Sequence, residues 1–219
     1  MTSLIREAPA STHWDEEVDV LVVGLGVAGA AAALEASAQG ADTLVLERAG
    51  GGGGTSAMSG GVIYLGGGTG LQKACGFEDS AEEMFKYLMA STGQAPDEAK
   101  IRLYCEGSVD HYDWLCGQGV PFKPSYYHGT SGEPPTDDGL VWSGAENAEP
   151  FRTLARPAPR GHVPRIEHQG GPLLMEKLCD AVEASPARVA ANHRCTALYR
   201  SPEGRIEGVA AENFGEERT

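Results

Sequence analysis

The 219-residue sequence has no apolar run approaching 18 residues, so no segment reads as a membrane-spanning helix. Its first residues, MTSLIREAPASTHWDEE, lack a basic stretch followed by an apolar core, which excludes a secretory signal. Residues 1–16 read instead as a short disordered tail. Positive charge is scarce: 17 Lys and Arg face 31 Asp and Glu, for a net charge of −14. Nucleic acid and anionic membranes need a basic surface, so neither is expected as a partner. Cysteine is sparse and odd in number, with five residues and no CxxC pair. Disulfide and zinc readings are weak on that pattern, and a reducing cytoplasm fits it. His111, His128, His162 and His168 show no metal-ligand spacing and read as structural or solvated, so no metal is expected. The remaining composition, 41% hydrophobic and 22% charged, is that of a soluble globular chain.

Glycine is abundant, and it is concentrated in ERAGGGGGTSAMSGGVIYLGGG, residues 47–68. What precedes this stretch gives it meaning. VDVLVV, 18–23, is a β-branched run that reads as a buried parallel strand. VAGAAAALEASAQ, 27–39, reads as a helix ending at Gly40, and DTLVLE, 42–47, as a second strand. Between the first strand and the helix, Gly24, Gly26 and Gly29 spell G-x-G-x-x-G in the position a dinucleotide-binding turn requires. The first Gly permits the tight turn, the second lets backbone approach a pyrophosphate, and the third lets helix and strand pack closely. The amides of Val27 and Ala28 then belong to a helix N-terminus, which offers free N–H groups and a positive dipole end to phosphates. Glu47 ends the second strand, 18 residues after Gly29, where a carboxylate can accept hydrogen bonds from an adenosine ribose and repel a 2′-phosphate.

These features suit NAD and FAD equally. The chain after Glu47 distinguishes them, because a Gly- and hydroxyl-rich loop that cannot be a helix follows, not a helix crossing back over the sheet. Thr55, Ser56 and Ser59 offer hydroxyls along it, and such a loop suits the longer dinucleotide. Gly50–Gly53 exceed what that contact needs and read as a flexible bend, while Gly66–Gly68 have no assigned role.

Downstream, Ser80 and Glu83 form a capping-box pattern ahead of one helix, and Pro96 suits the first turn of another, which runs to about Cys116 with a break at Gly107. Residues 118–170 read as a long Pro-, Gly- and aromatic-rich loop region, a length that implies a site. GPLLMEKLCDAVEA returns to helical spacing, with Leu173, Leu174, Leu178 and Val182 on one side. RVAAN, CTALYR and RIEGVAAENF alternate like strands, the last two joined by the turn SPEG.

VDVLVVGLGVAGAAAALEA, GADTLVLERA and GGTSAMSGGVIYLGGG together resemble the FAD-binding domain of the fumarate reductase and 3-ketosteroid dehydrogenase flavoproteins. GGPLLMEKLCDAVEA and RVAANHRCTALYRSPEGRIEGV resemble the next helix and the β-meander of that domain. SGGVIYLGGGTGLQKACGFEDSAEEMFKYL and DDGLVWSGAENAEPF are most similar to the 3-ketosteroid Δ4-(5α)-dehydrogenase branch. The resemblance implies an α/β, Rossmann-like FAD-binding domain of the glutathione-reductase type with a β-meander, incomplete over 17–219, with 118–170 facing substrate. It implies FAD as cofactor, with Gly24, Gly26, Val27, Ala28 and Gly29 lining the pyrophosphate and Glu47 and Arg48 at the adenosine ribose. Thr55, Ser56, Met58, Ser59, Gly60 and Gly61 would continue along the pyrophosphate and ribityl chain to the ring, and Cys195 would lie near the adenine. The family's capping domain and its C-terminal return to the flavin have no counterpart in this sequence, which resembles the N-terminal part only.

For activity, the resemblance implies removal of a proton α to a ketone and hydride transfer to the flavin, forming an enone. The substrate would be a small molecule, a 3-ketosteroid or another apolar ketone, and the electron acceptor is unassigned. The residues that would activate such a ketone fall largely in the segments without a counterpart, and Tyr126 and Tyr127 remain as substrate-pocket candidates. A fumarate reductase-like enzyme is the alternative, and would need Arg or His side chains converging on a dicarboxylate. Arg152, Arg156, Arg160 and Arg165 are available for that but form no motif, whereas Tyr112, Trp114, Phe122, Tyr126, Tyr127 and Trp142 favour an apolar substrate. A third reading is a non-catalytic FAD-binding fragment.

Overall fold

A computed structural model describes residues 4–8, 13–129, 134–164 and 170–214. Parts of the expected tail (1–3, 9–12) and of the expected loop region (130–133, 165–169, with Arg165 and His168) lie outside the described residues, as do 215–219. In chain order the elements are β1 (Ile5–Glu7), β2 (Val20–Val23), α1 (Val27–Ala38), β3 (Thr43–Leu46), α2 (Gly54–Ala57), β4 (Ile63–Tyr64), α3 (Gly70–Ala74), α4 (Ala81–Ser91), α5 (Glu98–Glu106), α6 (Ser108–Gly117), β5 (Leu140–Val141), α7 (Phe151–Leu154), β6 (Gly161–His162), α8 (Gly170–Ala184), β7 (Arg188–Ala190), β8 (His193–Arg200) and β9 (Ile206–Asn213). The region expected as one domain forms two compact units, Met1–Ser56 with Leu178–Thr219, and Ala57–Lys177.

In the first unit, β2, β3 and β7 form a parallel sheet in the order β2-β3-β7, with Val22 opposite Val45 and Val45 opposite Val189. Val22, Val45 and Leu46 are buried, as apolar strands covered by a helix should be. On α1, Ala30 and Ala33 are fully buried and Leu34 nearly so. Small side chains on that face let the helix approach the strands closely. Gly40 ends α1 at φ +83°, a left-handed conformation that costs Gly no Cβ clash. Gly29 makes the tightest approach: a Cβ there would lie 1.9 Å from the Gly24 carbonyl oxygen.

A second sheet in this unit has the order β1-β8-β9, with β8 and β9 antiparallel and the SPEG turn closed by Gly204 N donating to Ser201 O (3.0 Å). Here the expected tail is corrected. Ile5–Glu7 pair in parallel with Leu198–Arg200, held by Leu198 N to Leu4 O (2.8 Å) and Ala8 N to Arg200 O (3.0 Å). Trp14 also packs, edge-on against Tyr199 at 5.7 Å and over Gly208, where a Cβ would meet its ring at 2.4 Å. The open edge of β8 supplies the backbone partners that a tail composition does not announce.

The second unit carries a small antiparallel sheet, β4-β6-β5, with helices α3 to α7 around it. β5, β6 and α7 all arise within 118–170, so that region is a folded layer where a loop was expected. Leu140 and Val141, both fully buried, pair with His162 and Gly161. The helix pair breaks at Gly107 as expected, with Asp97 capping α5 through Lys100 N (3.1 Å). Ser80 caps α4 through Glu83 N (3.2 Å), but the Glu83 carboxylate turns to Arg156 N (2.5 Å) and Lys86 (2.7 Å). The reciprocal capping box forms instead at Thr69 and Gln72 of α3.

Gly66–Gly68 acquire a role here. They wrap the buried Arg160–Asp79 pair, whose side chains are 0% exposed. Arg160 donates from Nε (2.9 Å) and Nη2 (2.8 Å), while Gln72 Nε2 (3.1 Å) and Gly67 N (3.0 Å) also reach Asp79. A Cβ on Gly66 would lie 2.8 Å from Asp79 and 3.0 Å from Arg160. His162 is buried beside them. Its Nδ1 faces the Arg160 carbonyl (3.1 Å), which makes it the donor, and Nε2 takes the Thr69 hydroxyl (2.8 Å). Burial holds its pKa down, to about 4, so it stays neutral.

Gly29→Ala is expected to destabilise the first unit by about 1–3 kcal/mol or more through overpacking, whereas Gly51→Ala, facing open space, should stay within about 0.5 kcal/mol. Urea unfolding of both variants checks this. Asp79→Asn strands a buried guanidinium and should cost about 3–5 kcal/mol in the same measurement.

Candidate functional site

The G-x-G-x-x-G turn is built as the sequence requires. Gly24 sits at φ +95°, and its N–H donates to Leu46 O (2.8 Å), fixing the turn to the end of β3. α1 then begins with Gly26 as N-cap, with no side-chain cap. The helical ladder opens with Ala30 N to Gly26 O (2.9 Å), so the N–H groups of Val27, Ala28 and Gly29 precede its first bond. An uncapped helix start of this kind is an anion site in form.

Three hydrogen bonds stitch this turn to the glycine-rich loop. Leu25 N donates to Glu47 Oε2 (2.7 Å), Gly53 N donates to Leu25 O (2.7 Å), and Val27 N donates to Ser56 Oγ (3.2 Å). The other oxygen of Glu47 accepts from Ala49 N (2.7 Å). Each Glu47 oxygen thus takes one backbone N–H and keeps lone-pair capacity for a further donor. The peptide of Glu47 is also held on both sides, N–H to Ala190 O (2.9 Å) and O from His193 N (2.8 Å). Arg48 beside it is exposed.

The reading of the loop as non-helical is corrected at Gly54–Ala57, which form one helical turn, α2. Gly53 at φ +117° and Gly54 at φ +51° reverse the chain, and the small residues after them close the turn that lifts Ser56 over the start of α1. The bend at Gly50–Gly53 is also more specific than expected. A Cβ on Gly52 would lie 2.6 Å from Cys179 Sγ and 2.7 Å from Leu25 Cγ. Leu25 and Cys179 are residues that no motif marks, since their contribution is the fit of one side chain beneath a glycine.

The other expected site residues divide between the units. In the first, Thr55 is exposed and Cys195 lies half-buried on β8, its thiol directed at Ala197 O (3.7 Å) beside a bulge in the strand. In the second, Met58 is 85% exposed, and Ser59 Oγ accepts from Gly61 N (3.3 Å). Gly60 and Gly61 pack backbone to backbone with Gly170 and Gly171; a Cβ on Gly61 would lie 2.4 Å from Gly170 C. Tyr126 bridges Leu140 and rests edge-on against Phe77 (4.9 Å) and His128 (4.7 Å), so aromatic packing accounts for its position. Tyr127 N donates to Leu140 O (3.0 Å), and its ring lies over Gly129. Among the described residues no cluster of His, Cys, Asp or Glu could hold a metal ion, and no helix is long and apolar enough to cross a membrane.

The family model described as an FAD binding domain matches residues 19–219. The 3-oxo-5-alpha-steroid 4-dehydrogenase of Comamonas testosteroni is 34% identical over 203 residues, which is 90% of this chain and 38% of that protein. The acrylate reductase flavoprotein subunit of Shewanella woodyi is 35% identical over 121 residues, covering 55% of this chain and 24% of that one. Among solved structures, 3-ketosteroid-Δ4-(5α)-dehydrogenase from Rhodococcus jostii, in complex with 4-androstene-3,17-dione, superposes with a TM-score of 0.91 at 50% identity, covering 96% of this chain and 45% of that one. A flavocytochrome c3 fumarate reductase in an open conformation gives a TM-score of 0.73 at 28% identity, covering 91% and 31%. The chain thus spans less than half the length of these relatives. With this match extending over nearly the whole chain, the chain belongs to the FAD binding domain family.

Proposed function

We propose that this chain is the FAD-holding part of an oxidoreductase acting on a 3-ketosteroid or similar apolar ketone. The observation that carries the reading is the stitched pair of loops around Leu25, which fixes the glycine-rich loop and the acidic end of β3 against the start of α1. The residues fit the group. Gly24, Gly26, Val27, Ala28 and Gly29 would line the pyrophosphate, because Gly26 presents no side chain at the start of α1; the Gly24 and Val27 N–H groups are themselves held by Leu46 O and Ser56 Oγ. Glu47 would accept the ribose hydroxyls with its remaining lone pairs, beside Arg48. Ser56 accepts from Val27 N, which places its side chain at the start of α1. Thr55, Met58, Ser59, Gly60 and Gly61 are assigned to the pyrophosphate, ribityl chain and ring, and Cys195 to the adenine, on the resemblance of their segments. This corresponds to a Rossmann-like domain of the glutathione-reductase type.

When bound, the flavin supplies the hydride acceptor, and the protein supplies position and exclusion of water. Tyr126 and Tyr127 remain substrate-pocket candidates, and no residue of this chain is assigned to proton abstraction. The steroid class is supported by the two relatives named for 3-ketosteroid chemistry. A dicarboxylate site is less well supported. Arg160 is buried and held by Asp79, while Arg152 and Arg156 make exposed pairs with Glu149 (2.5 Å) and Glu78 (3.4 Å). A cytoplasmic location is part of the same reading and is supported by five free thiols.

The test is to saturate the purified chain with FAD, remove the excess on a desalting column and record the spectrum. A flavin band that co-elutes with folded protein is expected. Folded protein that emerges colourless would reject the reading. Glu47→Ala should weaken ADP binding by about 2 kcal/mol through loss of charge-assisted ribose bonds, measured by calorimetry, and unchanged affinity would place the adenosine elsewhere.

A further inference from the structure

The interior of the second unit holds a set of charges that FAD binding does not use. One guanidinium, Arg160, lies there with two carboxylates, Asp79 and Glu146, and with Tyr64 of β4. Arg160 is 0% exposed and Glu146 1%. The two acids are treated very differently. Asp79 takes both arms of Arg160, the Gln72 amide and Gly67 N. Glu146 takes only Gly144 N, at Oε2 (3.1 Å). Its Oε1, the Tyr64 hydroxyl and Arg160 Nη1 are all buried and lack a hydrogen bond. These three groups bear on one another: Tyr64 lies within reach of both Glu146 and Arg160, and Tyr64 and Arg160 both act to lower Glu146, though burial outweighs them.

Counting charge distinguishes the two acids. Asp79 already neutralises the single guanidinium, so an ionised Glu146 would be a buried anion without a cation of its own. Such a group takes up a proton in preference to remaining charged. Two acids in one site whose surroundings differ this strongly are pushed apart in acidity. We infer that Glu146 is a neutral, proton-carrying acid in the native protein, facing Tyr64, and that losing this proton loosens the attachment of β4 to β6 and β5. β4 directly follows Ser59–Gly61, so the device fixes the strand into which that segment runs. The inference stands apart from what the first unit binds.

The groups facing Glu146 come from each neighbouring element. Tyr64 comes from β4 and Arg160 from the segment before β6. From α4, Tyr87 accepts Ala145 N at its hydroxyl (3.0 Å) and stacks on Tyr64 at 6.3 Å. Behind Arg160 lie Asp79 and the Cys105 thiol of α5, which burial pushes up to about 11. None of these offers a second cation.

Burial raises Glu146 above the ordinary glutamate range. The stability tied to its proton is therefore complete below about pH 4.3, its unfolded value, and declines as pH rises through the native value. Asp79 has the opposite sign. Burial acts to raise it, but the Arg160 bonds hold it below the usual range, so its contribution is lost only in acid. His162, kept neutral down to about pH 4, also costs stability only as pH falls. Comparison with Glu146→Gln, isosteric and neutral at every pH, removes these shared contributions.

Thermal unfolding midpoints of wild type and Glu146→Gln are to be measured from about pH 5 to pH 9. The midpoint of the Gln variant is expected to gain on wild type by several degrees as pH rises. Infrared spectra of the wild-type protein at neutral pH should show a protonated-carboxyl C=O band that disappears as pH is raised and is missing from the variant. The wild-type band does not require the variant to fold. A midpoint difference that is constant with pH, or the lack of a carboxyl band at neutral pH, overturns the inference.

Discussion

The peptide group of one residue, Leu25, is held from both sides, and the candidate cofactor site depends on that hold. Its N–H is taken by the carboxylate at the end of β3, and its carbonyl by the amide of Gly53 in the glycine-rich loop. Neither bond is unusual in strength. Their effect is geometric, since they place the turn after β2, the end of β3 and the following loop in one fixed relation. Ser56 adds a third point at Val27. A run of glycines is thereby held in one conformation by bonds within the chain. Glu47 organises this arrangement through both of its oxygens, one taking Leu25 N and the other Ala49 N.

The second unit is organised around a different constraint, the cost of a buried charge. Arg160 and Asp79 are wholly enclosed, and the chain around them is shaped to complete their bonding. Gly66 has no side chain because Asp79 and Arg160 occupy the space a Cβ would need. Gln72 divides its amide between Asp79 and Pro159 O (2.9 Å) while its oxygen holds Gly68 N (3.0 Å) and Thr69 N (3.1 Å). The three glycines after VIYL are therefore the lining of an ion pair.

Regular elements were largely readable in advance because their signals are local. β2, α1, β3 and α8 appear where the β-branched run, the alanines and the spaced leucines put them, within a residue or two at their ends. What was not readable has a common cause. β1 exists because β8 leaves an edge open nearly two hundred residues later, and nothing in the composition of Ile5–Glu7 signals that edge. β5 and β6 are two residues each, too short for alternation to register, yet they turn the expected loop over 118–170 into a sheet. The capping box expected at Ser80 is only half-formed because a distant backbone amide, Arg156 N, competes for Glu83.

The sequence by itself determined the chemistry: a strand, three spaced glycines, a helix start and an acid at the end of the next strand admit few ligands, because each of those residues acts through its own backbone or its own charge. Only the tertiary structure decided which glycines are required by packing. Gly29 faces the Gly24 carbonyl, Gly52 the Cys179 thiol and Gly66 a buried ion pair, and these neighbours come from elsewhere in the chain. The same holds for Glu146. Its proton follows from counting the cations enclosed with it, and enclosure is a property of the folded chain that no stretch of sequence contains.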